Sequence, residues 1–166
     1  MKRLSLLFIA CSCLVAVATA EDTWAVREDG VGPVKIGMTL AQLNAVLHEK
    51  LMKDPQDDQA CFYVNPKGHP HVSFMIENGK VARIDVQNPG ISTSSGIRVG
   101  DSEARAKQAY GAKLKIDPHK YIDDGHYLTV RSSDGHFGIR FETEKGKITT
   151  FYAGAHEAIQ YVEGCE

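Results

Sequence analysis

The chain has 166 residues with 19 basic and 21 acidic side chains, and it is 43% hydrophobic and 24% charged. That composition belongs to a globular chain, not a disordered one. The near-neutral, slightly acidic balance excludes the basic footprint of a nucleic-acid binder. Beyond the N-terminus no apolar run is long enough to span a bilayer.

The first 20 residues have the grammar of an export signal. Lys2 and Arg3 form a positive start, an apolar run follows, and Ala18-Thr19-Ala20 places small residues at a cleavage site after Ala20. Cleavage there removes Cys11 and Cys13 and leaves Cys61 and Cys165. Lipidation at Cys11 is disfavoured, because the apolar stretch before it is short and Phe8 occupies the −3 position. A periplasmic or secreted protein is expected. In that oxidising setting Cys61 and Cys165 pair as a disulfide. Closing so long a loop contributes about 4–5 kcal/mol in the chain-entropy view.

Two stretches then look alike. Val34-Lys35-Ile36-Gly37-Met38-Thr39 precedes an apolar stripe at Leu40, Leu43, Leu47 and Leu51. Ile97-Arg98-Val99-Gly100-Asp101-Ser102 precedes a thinner stripe at Ala106, Ala109 and Tyr110. Each predicts a short strand, then a helix with a hydroxyl N-cap. Thr39 with Gln42 forms a capping-box pattern. Strands are predicted at 61–64, 71–77 and 80–86 after the first helix, and at 126–131, 136–143 and 147–153 after the second. Asn78-Gly79 between two alternating runs is a strong hairpin signal. The linker 88–96 is rich in Gly, Pro, Ser and Thr. The expected fold class is α+β. It has two tandem units of strand, helix and antiparallel three-stranded meander, with the helices packed on one sheet face. The expected boundaries are 1–20 for the signal, 21–90 for the first unit and 91–166 for the second. A short last strand is expected at 158–163.

The repeated Ile36-Gly37-Met38-Thr39 and Val99-Gly100-Asp101-Ser102 signature, each leading into a helix and a meander, resembles the β-lactamase-inhibitory-protein fold. It is also similar to the small envelope proteins of the SmpA/OmlA type. The resemblance implies a fold and a habit of binding other proteins, without naming a target.

Chemistry is sparse by comparison. Gly90-Ile91-Ser92-Thr93-Ser94 lacks the last glycine of a nucleophile elbow. His48-Glu49 and His156-Glu157 begin like a zinc-binding H-E-x-x-H but lack the second histidine. No dinucleotide or phosphate-loop fingerprint is present, and no cofactor is expected. His69 and His71 are the weak candidates for a metal site. Asp123, Asp124 and Glu142 are the carboxylates that folding could bring together for hydrolysis.

Strict alternation leaves one sheet face polar and aromatic. It should carry Tyr63, Met75, Arg83, Tyr127, Arg140 and Tyr152, with Ser73, Thr129 and Thr150 between. Tyr, Met and Arg are enriched at protein interfaces. The expected function is therefore an exported, non-enzymatic protein-binding module, inhibitor-like or an envelope accessory factor. It would use this open face against another extracytoplasmic protein. A small periplasmic metal-binding protein and a carboxylate hydrolase are the alternatives.

Overall fold

The computed structural model describes residues 24–165. The export signal, with its cleavage site, Cys11 and Cys13, lies outside the described residues. Among the described residues, ten strands, two short α-helices and two 3-10 turns make a mostly β structure. Strands β1 (Val26–Arg27), β2 (Gly30–Val31) and β3 (Val34–Lys35) form a small antiparallel sheet. Helix α1 (Leu40–Leu47) leads to β4 (Cys61–Val64), β5 (Val72–Glu77) and β6 (Lys80–Val86). Helix α2 (Glu103–Tyr110) leads to β7 (Lys115–Pro118), β8 (His126–Arg131), β9 (Phe137–Glu144) and β10 (Lys147–Ala155). A 3-10 turn, Ala158–Gln160, follows.

Local chemistry accounts for these elements. The Thr39 hydroxyl accepts from the Gln42 amide at 3.3 Å, and the Gln42 side chain accepts from the Thr39 amide at 2.9 Å. This reciprocal cap starts α1. Ser102 caps α2 with a single bond, its hydroxyl accepting from the Arg105 amide at 3.2 Å. Both helix starts hook onto a strand: Gly37 N–H donates to Val81 O, and Gly100 N–H donates to Ile148 O, each at 2.8 Å. Asn78 and Gly79, at φ 50° and 77°, turn β5 into β6. Such two-residue turns match the right-handed twist of the strands they join.

The expected fold class is not what forms. Two repeated α+β units were anticipated, each with its own meander, but β6 pairs with β10. The result is one seven-stranded antiparallel sheet in the order β4-β5-β6-β10-β9-β8-β7. The leading strands of the anticipated units differ as well. Val34–Lys35 pairs with β2 in the small sheet, and Ile97–Val99 forms no strand, only a Ser92–Arg98 bridge. Residues 93–97 close a tight turn instead: the Thr93 N–H donates to the Ile97 carbonyl, and the Ile97 N–H donates to the Thr93 hydroxyl. The second meander carries an additional strand, β7, and the expected last strand is instead a 3-10 turn with an irregular tail.

Burial explains the joined sheet. Val81 through Val86 are all buried. A strand covered on both faces and hidden along its length belongs inside a sheet, not at its edge. One face of the sheet carries the main core, where Phe74, Ile84, Phe141 and Phe151 meet Leu43 of α1, Ala106 of α2 and the valines of the small sheet. At the seam, Ile84 pairs with Ala153 and Arg83 with Gly154. A register shift in β6 leaves Ala82 as an extra residue beside Arg83. A Cβ at Gly154 would lie 2.3 Å from the Ala82 carbonyl oxygen and 2.8 Å from the Arg83 Cα. Only glycine permits that approach. Gly154→Ala is therefore expected to lower stability by about 2–3 kcal/mol in urea unfolding, because the neighbours that must move are backbone.

Glu103 ties α2 to the sheet. Its carboxylate accepts from the Thr143 hydroxyl at 2.7 Å and faces His126 Nδ1 at 2.8 Å. Burial alone would push this carboxyl up, but the hydrogen bonds from Thr143 and His126 outweigh it and hold it below the ordinary 4.5. A carboxyl depressed in the folded state stabilises above its unfolded value, and the gain is lost as pH falls through the folded value. Glu103→Gln should lower stability at pH 7 by about 1–2 kcal/mol. It should also flatten the acid limb of the stability–pH profile below pH 4.5, as read by denaturation at stepped pH.

Candidate functional site

The strand registers place all six expected binding residues on one face, opposite the main core. Tyr63 sits across from Met75, and Met75 across from Arg83. Tyr152 lies between Asp85 and Arg140, and Tyr127 pairs with Glu142. The face is not open. Met75, Arg83, Tyr127, Arg140 and Tyr152 are each no more than 8% exposed, and Tyr63 is half-buried. Part of the cover is the chain's own C-terminal segment. Ala158 and Ile159 are buried there, with Ala158 against Met75 and Ala82 and Ile159 against Gly138. The expected exposed binding face is corrected accordingly: burying these large side chains releases more free energy than leaving them wet.

Beneath this cover lies a charged knot. Arg83 Nε donates to Asp85 at 3.1 Å, and Nη2 lies 2.9 Å from the other Asp85 oxygen. Nη2 also donates to the Tyr63 hydroxyl at 2.6 Å. Nη1 donates to the carbonyl oxygens of Ala158 and Tyr161 at 3.2 and 2.9 Å. The guanidinium carbon stands 4.5 Å from the centre of the Tyr152 ring. Burial pushes the Asp85 carboxyl up from its ordinary value, opposed by Arg83 and reinforced by the negative charge of Glu142.

A second chain of contacts runs from His119. Its Nδ1 accepts from the Tyr121 amide, which assigns the proton to Nε2, 3.4 Å from Glu142. The other Glu142 oxygen accepts from the Tyr152 hydroxyl at 2.9 Å. Burial first, and then Glu142, push the Tyr152 phenol far above its ordinary value. His119 stacks on Tyr127 at 4.3 Å, and the Arg140 guanidinium carbon lies 5.0 Å from the centre of the same Tyr127 ring. Arg140 also donates to Thr129 and to the Gln160 side chain.

Between this face and the tail remains a cleft of about 470 Å³. Tyr63, Arg83, Asp85, Glu142 and Tyr152 line one side, and Val162, Glu163 and Gly164 line the other. Several of its donors are already occupied. Ser73 donates to Asn65, Thr150 donates to the Val86 carbonyl, Tyr152 donates to Glu142, and every nitrogen of Arg83 faces a protein acceptor. The carboxylates on its border, Asp85, Glu142 and Glu163, accept from Arg83, Tyr152 and Tyr121 but keep further lone pairs, and the amides of Asn65 and Gln87 line it as well. Such a surface suits a ligand that brings its own donors and positive charge. A neighbouring hollow of about 560 Å³ shares Tyr63, Asn65 and Glu163 with the cleft. It adds Asp54, Asp57, Asp58 and the exposed Met52.

The other expected sites fare differently. Cys61 and Cys165 form the disulfide, with Cα atoms 5.3 Å apart. His69 and His71 do not converge. His69 stacks on Trp24, and burial lowers its pKa, while the His71 ring lies against Gly90. Among the described residues no three His, Cys, Asp or Glu side chains group as metal ligands. Asp123 and Asp124 are exposed in a turn away from the cleft, so Glu142 shares the cleft with Asp85 instead. Asp85, His119 and Gln160 were not expected from the sequence. The signal for Asp85 was the spacing: Arg83 and Asp85 are two apart on an apolar strand, so they share one face.

Comparison with protein-family profiles, with characterised proteins and with solved structures finds no match. Among the described residues no helix is long and apolar enough to cross a membrane.

Breaking one side of the Arg83–Asp85 pair leaves a buried charge uncompensated. Arg83→Met should lower unfolding stability by about 3–5 kcal/mol. The double variant Arg83→Met/Asp85→Leu should regain a substantial part of that loss, measured in the same urea titration.

Proposed function

We propose that the protein is an exported binding module whose cleft takes a cationic side chain from another extracytoplasmic protein. The observation that carries this reading is the hydrogen-bond inventory of the cleft. Its one guanidinium is fully engaged inside the protein, while three carboxylates border the free space. A lysine or arginine side chain brings the donors and charge that complement these carboxylates. The acidic hollow beside it, with exposed Met52, extends the same preference over a wider contact. A disulfide suits an oxidising compartment. The resemblance to inhibitory proteins, read from Ile36–Thr39 and Val99–Ser102, favours a protein over a free metabolite as the partner.

One observation favours a second reading. Asp85 and Glu142 share the cleft, and burial, with the charge of Glu142 added to it, raises the Asp85 carboxyl, as in carboxylate pairs that work as acid and base. The two-point bond from Arg83 occupies Asp85, which favours binding over proton transfer.

The test is affinity capture from native envelope and culture fluid with immobilised mature protein. Wild type is compared with Glu142→Gln and with Ser73→Trp, which fills the cleft from its rim. The specific partner should elute with rising salt, and each variant should weaken its capture about tenfold, equal to 1.4 kcal/mol. Undiminished capture by both folded variants would overturn the reading.

A further inference from the structure

The C-terminal segment has two parts with different attachments. Ala158 and Ile159 are buried, against Met75, Ala82 and Gly138, and belong to the packed structure. Residues 161–165 are exposed or only half-buried, and Tyr161 is 37% exposed. The polar contacts of this stretch are few. The Tyr161 N–H donates to the Ala158 carbonyl, the Tyr161 carbonyl accepts from Arg83, the Tyr161 hydroxyl donates to Glu77, and Glu163 accepts from the Tyr121 hydroxyl. Its apolar packing is confined to the end, where Cys165 rests at the edge of the Met75, Ala82 and Ala158 cluster and Gly164 lies beside Tyr63. The covalent anchor is the Cys61–Cys165 bond to β4. This weakly packed segment is also a partition. Glu163 borders the cleft, the acidic hollow beside β4 and a third hollow next to Lys120.

We infer that residues 161–165 are a strap locked by the disulfide, and that reducing the bond releases the strap without unfolding the sheet. The reductant is a dithiol. Its thiolate attacks one sulfur, forms a mixed disulfide and expels the other cysteine as a thiolate. The second thiol of the reductant then displaces the first cysteine. Two electrons pass to the protein, Cys61 and Cys165 end as thiols after taking up two protons, and the reductant ends as a disulfide. Exposed segments with few apolar contacts open at much lower free energy than the core that carries them. Once the strap lifts, the Val162–Gly164 wall is gone and three hollows become one trough. Arg83 loses the Tyr161 carbonyl but keeps Ala158, so one of its donors turns outward. The opened site can then accept a carbonyl or carboxylate beside the cationic group. Release of the strap does not depend on what the cleft binds; only that change in preference rests on the reading above.

Nitrogen-15 relaxation of the backbone amides of the mature protein tests the release directly. It is measured oxidised, with dithiothreitol, and as the Cys61→Ser/Cys165→Ser variant. The heteronuclear NOE of 161–165 should fall to the values of mobile chain in both bond-free forms, while 158–160 and β10 keep the values of rigid backbone. An unchanged NOE at 161–165 would show that the strap stays seated without the bond. Collapse of the dispersed β10 signals would show that the bond holds the whole fold. Either result overturns the inference.

Discussion

The guanidinium of Arg83 ties together parts of the chain that are far apart in sequence. It bonds to Tyr63 on β4, to Asp85 on its own strand and to two carbonyls of the C-terminal tail, and it stacks on Tyr152 of β10. A buried cation must be satisfied on every side, because an unpaired charge in a low-dielectric interior is costly. The neighbourhood of Arg83 is therefore constrained as a set. The tail must present its carbonyls, β10 must approach closely enough to stack its tyrosine, and Gly154 must stand where any larger residue would strike the β6 backbone.

That constraint explains the architecture better than stability alone does. A buried ion pair is seldom a net gain over well-packed apolar residues. Here it selects one arrangement among several that burial would tolerate. Slipping β10 by one residue along β6 would place Ala153 or Ala155 against Arg83 and turn Tyr152 toward the main core. The pair thus favours the register by which two meanders share a single sheet. The same face carries Arg140, held by Thr129 and Gln160 above Tyr127, so the tail is received by two guanidinium groups. The face that alternation marks as polar is consequently an internal surface, and what stays accessible is the acidic cleft along its border.

The sequence was informative about local structure and silent about assembly. Asn78-Gly79 located a hairpin, Thr39 and Ser102 located helix starts, and alternation assigned Tyr63, Met75, Arg83, Tyr127, Arg140 and Tyr152 to one face, which the strand pairing reproduces. These signals are local, set by turn conformation, capping and a period of two. The joining of β6 to β10 rests on backbone hydrogen bonds, and its one local mark, the glycine at 154, does not by itself name the strand it meets. The misjudged exposure has a similar origin. Alternating Tyr, Arg and Met look the same whether water or a tail covers them. Only Ala158-Ile159, an apolar pair beyond the last strand, hinted at a cover. Cys61 and Cys165 were readable because chemistry left them few other partners.

The central claim, that one fully engaged guanidinium organises this face, is tested most directly by nitrogen-15 NMR of the arginine side chains. Arg83 should show separate, slowly exchanging Nη signals at 25 °C, because bonds to Tyr63, Asp85 and the tail carbonyls hinder rotation about the guanidinium. Exposed arginines such as Arg98 should give a single averaged signal. An averaged, rapidly exchanging Arg83 signal in the folded, oxidised protein would contradict the account.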